Sequence, residues 1–195
     1  MKKTLLLAGV AGVFAFNANA MEVRPYVGMN LGYGLAEYGD AEFDEIANDE
    51  YGVVDINAGA RIGNNFGLEV SYQQSGDSEQ DNYYMDGTAK VTTNYSSYGI
   101  DAYGYMPINE QVELFASAGI AHYKIEGEAK IRLYGYYGAA YIEDDESETS
   151  LRFGLGGLFK INEHFDAKAM YRFAPVDSES VDYINEFSVG LRYNF

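Results

Sequence analysis

Period-two alternation, carried to the last residue, is the feature that most restricts what this chain can become. In the closing stretch Phe187, Val189, Leu191, Tyr193 and Phe195 fall on one side of an extended strand, with Ser188, Gly190, Arg192 and Asn194 on the other. Successive side chains of a strand point to opposite faces, so one face is oily and the other polar. A half-buried strand of a soluble sandwich alternates in the same way. The amino end separates the two cases.

Residues 1–20 read as a secretory leader. Lys2 and Lys3 give the positive start, Leu5 to Phe16 are an unbroken apolar run, and Ala18-Asn19-Ala20 supplies the small-x-small cleavage site before Met21. That run is too short to cross a bilayer as a helix, which takes about 20 residues. No other apolar run approaches that length, so any membrane embedding must use strands, and residues 21–195 are expected to form one domain. Cysteine is absent, so an exported fold here relies on its core or the bilayer rather than on disulfides. The 22 Gly and 19 Tyr favour β-structure over helix. A net charge of −17 argues against nucleic acid or an anionic headgroup surface as a partner.

Eight segments carry the alternation: Val23–Leu35, Val53–Ile62, Phe66–Gln73, Tyr95–Met106, Val112–Tyr123, Leu151–Ile161, Phe165–Phe173 and Phe187–Phe195. About ten alternating residues per segment, separated by turn residues, is the pattern of a transmembrane barrel. The connections sort into two kinds. Three are tight and look alike: Ile62-Gly-Asn-Asn-Phe66, Ile108-Asn-Glu-Gln-Val112 and Ile161-Asn-Glu-His-Phe165. Asn, Gly and Glu there suit short hairpin turns. Four are long and polar, 36–51, 74–94, 124–149 and 174–185. Short turns on one rim and long loops on the other are the expected topology of an outer-membrane barrel.

The charges follow the same division. The faces assigned inward carry Arg24, Arg61, Arg152, Lys160, Lys168, Arg172 and Arg192 against Asp55, Glu69, Asp101, Glu113, Asp166 and Glu186, and the opposite faces carry none. A charge at the lipid midplane costs about 2–4 kcal/mol, so a lipid-facing band excludes it. Eight strands enclose just enough space for side chains to fill, and buried ions persist when paired. The expectation is an all-β, eight-stranded antiparallel up-and-down transmembrane barrel with a packed polar lumen. A soluble lipocalin-like barrel would invert the two faces, and alternation by itself does not say which face is inside.

Eight strands, three near-identical short turns, four long loops and a final aromatic-x-aromatic resemble the OmpA/OmpX-type and opacity-protein barrels of Gram-negative outer membranes. The resemblance spans residues 21–195 and implies a place in the outer membrane with extracellular loops, among lipid and lipopolysaccharide. It implies that Tyr193 and Phe195 are the signal read by the barrel-assembly machinery. It also implies a surface role in adhesion, host or cell-surface protein contact, or envelope integrity. The chain ends on its last strand, so the peptidoglycan-binding domain of OmpA is not expected.

Specific function should lie in the long loops. They hold 21 of the 30 carboxylates but only Lys90, Lys124, Lys130 and Arg132 as cations. A solvated, repelling rim is the plain reading. Divalent-cation binding is the sharper one, but no spacing matches an EF-hand loop, and no metal or cofactor site is assigned. Residues 129–142 are β-prone, which suggests a protruding hairpin on which Tyr134, Tyr136, Tyr137 and Tyr141 form an adhesive surface. Only His122 and His164 exist, neither beside a serine, and no lipase elbow occurs, so no catalytic residue is assigned. The competing reading is a narrow porin-like channel.

Overall fold

The computed structural model describes residues 22–38, 50–76, 78–84, 87–133, 140–176 and 181–195. They form nine strands: β1 (Val23–Tyr38), β2 (Glu50–Ile62), β3 (Phe66–Ser75), β4 (Ser78–Tyr84), β5 (Gly87–Pro107), β6 (Val112–Leu133), β7 (Ala140–Lys160), β8 (Phe165–Pro175) and β9 (Val181–Asn194). All pairings are antiparallel, in the order β3-β2-β1-β9-β8-β7-β6-β5-β4, and a β3–β5 pairing closes the sheet on itself. Among the described residues β4 pairs only with the outer part of β5, continuing the line of β3 after a break at Gly76. The barrel therefore has eight staves, one of them interrupted.

The oily side of each strand faces outward. Leu155 is 63% exposed and Leu191 53%, while Arg152 is 1% and Arg172 3% exposed. A water-soluble barrel would show the opposite, because exposed apolar area is costly in water and free in hydrocarbon. Closure leaves no edge in this band, so every backbone group there finds its partner in the ladder.

Two of the three tight turns use one device. Asn109 Oδ1 accepts from the amides of Gln111 and Val112, both at 2.8 Å, and Asn162 Oδ1 accepts from those of His164 and Phe165, both at 2.9 Å. An Asn side chain standing in for a backbone acceptor is the usual reason for Asn in such turns. The third turn uses Gly63, whose φ of +61° suits a residue without a Cβ.

The strands outrun the alternating segments. The connection 74–94 contains β4 and the start of β5, and 124–149 is strand up to Leu133 and again from Ala140. Beyond the lipid band hydrocarbon no longer demands an oily outer face, so ladder pairing continues while the oily–polar signature fades. β4 to β7 thus rise together as a four-stranded extension above one side of the barrel, β6 running about 30 Å from Tyr123 to Leu133 at the usual strand rise.

Candidate functional site: the lumen and the extension above it

The inward faces meet as successive layers of paired side chains. Nearest the short-turn rim, Arg61 on β2 reaches across to Glu113 on β6 with two bonds, of 2.5 and 2.9 Å, and lies over the Tyr105 ring at 4.5 Å. Beside it Arg192 donates two bonds to Asp166 Oδ2, at 2.6 and 3.0 Å, and covers Tyr26 at 4.7 Å. Deeper in, Glu69 accepts from Tyr103 at 2.8 Å, Tyr26 at 3.1 Å and Lys168 at 3.2 Å. Tyr103 and Tyr105 stack at 5.8 Å, and Phe115, Leu158 and Met170 fill the layer around them.

At mid-height Arg152 pairs with both oxygens of Asp101 and donates to Ser71 Oγ at 2.8 Å. Gly99 and Gly119 make this possible: a Cβ on Gly119 would lie 2.3 Å from Asp101 Oδ1, and one on Gly99 2.8 Å from the Arg152 guanidinium. Above it Arg172 sits 3.6 Å from Glu186 and 3.8 Å from Asp55, while Asn30 and Asn57 donate to Asp55 at 2.6 and 2.7 Å. Such pairing is the condition on which charge survives away from water.

The layer nearest the long-loop rim is apolar. Tyr51, Val53, Tyr95, Ala121, Tyr123, Ala174, Val176 and Ile184 form one buried cluster, with Tyr51 edge-on to Tyr95 at 5.5 Å. These residues point inward, so the alternation rule alone would have made them polar. The readable signal was their position parity rather than their chemistry.

Of the thirteen charged residues assigned inward, eleven join these pairs. Arg24 is half-exposed, reaching the Gly63 carbonyl at 3.0 Å and Glu22 at 3.8 Å. Lys160 corrects the expected network. It is exposed and joins no ion pair among the described residues, because β7 ends there and its inward face opens to solvent. A cavity of about 200 Å³ lies at this rim among Arg24, Arg61, Lys160, Arg192 and Phe195, with Leu158 in its wall.

At the seam, the Tyr193 ring meets Phe165 at 5.2 Å, Phe195 at 5.1 Å and His164 at 5.6 Å. His122 Nδ1 lies 2.9 Å from Thr149 Oγ1, and His164 Nδ1 3.2 Å from the Asn194 carbonyl. No described contact sets a carboxylate on either ring, and among the described residues no group of three acidic or histidine side chains gathers to hold a metal. Tyr134, Tyr136 and Tyr137 lie outside the described residues; Tyr141 stands opposite Lys130 in the β6–β7 ladder.

This fold is that of a transmembrane β-barrel, and the comparisons with known proteins agree. Residues 4–195 match the outer membrane protein beta-barrel domain model, and the chain belongs to that family. Ail, the attachment invasion locus protein of Yersinia pestis, is similar over 89% of this chain and 99% of its own, at 18% identity and a TM-score of 0.59. The N-terminal barrel of Pseudomonas aeruginosa OprF covers 89% and 100%, at 15% identity and 0.54. Neisserial surface protein A covers 90% and 99%, at 17% identity and 0.51. No curated protein sequence matches the chain. It is an eight-stranded barrel of the outer membrane.

Proposed function

We propose that this chain is a non-conducting, surface-exposed barrel whose role is contact rather than passage: adhesion, binding to host or other cell-surface proteins, or support of the envelope. One observation carries this reading. The cap of packed aromatic and aliphatic side chains around Tyr95 and Val176 sits above layers of ion pairs, so a permeating ion would meet locked charges and then that packed cluster. Hydrophobic constrictions close pores by excluding water. The barrel then serves as a pedestal for the β4–β7 extension. In this reading the leader is removed after Ala20, the assembly machinery reads Tyr193 and Phe195, and lipid and lipopolysaccharide surround the outward faces.

Ail was crystallised with a heparin analogue, sucrose octasulfate. A chain of net charge −17 repels such a polyanion, so attachment here would use a different ligand class. A narrow channel is the competing reading, favoured by the polar lumen and the cavity at the short-turn rim. Planar-bilayer recording separates them: the closed reading expects no stable unitary conductance, and a steady single-channel current would overturn it. Deleting 129–142 should abolish surface adhesion while leaving the heat-dependent gel mobility of the barrel intact, and unchanged adhesion would refute the contact role of the extension.

A further inference from the structure

We infer that the cavity at the short-turn end of the barrel binds a small zwitterion, of the class of a free amino acid or a dipeptide. The site lies at the opposite end from the β4–β7 extension and is independent of the contact reading.

Two guanidiniums meet where β1 runs beside β2. Arg24 stands directly across from Arg61 in the ladder, an arrangement that like charges disfavour. Glu113 takes up Arg61 with two bonds. Arg24 receives less. Its Nη2 donates to the Gly63 carbonyl at 3.0 Å and to Asn64 Oδ1 at 3.3 Å, while Glu22 stays 3.8 Å away and 71% exposed. Neither Nε nor Nη1 of Arg24 has a hydrogen-bond acceptor among the described residues. A guanidinium pairs best with a planar carboxylate, so an incoming carboxylate completes Arg24 and offsets the Arg24–Arg61 repulsion.

The opposite sign comes from the turns. Glu110 follows Asn109 and Glu163 follows Asn162, so the two Asn-locked turns each carry a carboxylate at the same place, and both residues line the cavity. Neither joins an ion pair among the described residues, and neither does Lys160, which lines the same cavity. Two cations, Arg24 and Lys160, and two carboxylates therefore surround this space with no close pair between them. A plain anion would meet Glu110 and Glu163, and a plain cation would meet Arg24 and Lys160. A molecule carrying both signs satisfies both sets.

Size narrows the class further. A volume of about 200 Å³ is below the roughly 300–1,000 Å³ of pockets that take drug-sized ligands, so the guest is one amino acid or two linked ones. Leu158, itself buried, gives the wall an apolar patch for a short side chain. The Arg61–Glu113 and Arg192–Asp166 pairs, each closed on itself, form the rest of the lining, so the guest is held at the rim rather than passed into the lumen.

The test uses the full-length protein in lipid nanodiscs and alanylalanine, with affinities read by ligand-observed NMR saturation transfer. The N-acetyl form of the dipeptide loses the ammonium and its amide loses the carboxylate, at nearly the same size. Alanylalanine should bind at least about tenfold more tightly than either capped form. The double variant Glu110→Gln and Glu163→Gln should lose about tenfold and bind alanylalanine and its N-acetyl form alike. Arg24→Gln should lose about tenfold and no longer distinguish alanylalanine from its amide. Glu110 and Glu163 lie in exposed turns, so the double variant tests the site even where Arg24→Gln fails to fold. Heat-dependent gel mobility reports folding in each case. Equal binding of the three dipeptides, or binding of none, overturns the inference, and undiminished binding by either folded variant overturns the site.

Discussion

In the barrel band every strand has two neighbours; beyond it, among the described residues, β4 to β7 pair only with one another. The same ladder runs through both regions, yet what holds them differs. In the barrel, lipid admits no unpaired backbone and no outward charge, so closure and the ion-paired lumen are obligatory. In the extension water satisfies whatever the ladder leaves, so edges and carboxylates are tolerated. Single substitutions should therefore matter greatly in one region and little in the other.

The largest effect is expected inside the barrel. Asp101→Ala leaves Arg152 charged and without its counter-ion in a buried site, which should lower unfolding stability in lipid vesicles by about 3–5 kcal/mol. Replacing both members by leucine should recover much of it; failure to recover would mean the pair does more than neutralise itself. Next comes the lipid face: Leu155→Arg should cost about 2–4 kcal/mol if that position meets the midplane. An equal urea midpoint for this variant would contradict the outward assignment. Gly119→Ala forces a methyl against Asp101 and should cost about 1–3 kcal/mol, with visible loss of the heat-resistant form on gels. The smallest effect belongs to the extension. The Lys124–Glu126 pair is 47% and 43% exposed, so Lys124→Gln should shift stability by less than about 0.5 kcal/mol. A change as large as that of Asp101→Ala would erase the distinction between the regions.

Legibility followed the same boundary. Where lipid constrains a strand, as in Phe66–Ser75 or Phe165–Pro175, the alternation is written directly into the residues. Beyond the band it is not: Glu143-Asp144-Asp145-Glu146 has the composition of a loop, yet its backbone belongs to β7. The cap was hidden for another reason. Val53, Val176 and Ile184 are apolar but point inward, and composition cannot distinguish an oily residue facing hydrocarbon from one sealing the end of a lumen.

Strand number, the oily and ionic faces, and the two Asn-based turns needed nothing beyond local residue order, because each answers a constraint acting over a few positions: pleat, solvent or turn geometry. Which ions meet was decided only on closure. Arg61 finds Glu113, 52 residues further along, and Arg172 lies between Asp55 and Glu186, because the stagger of strands around a closed barrel brings distant positions to one height. The same stagger left Lys160 at the open rim and the outer part of β7 with no described strand on its β8 side, and no stretch of sequence records where a ring of strands runs out of partners.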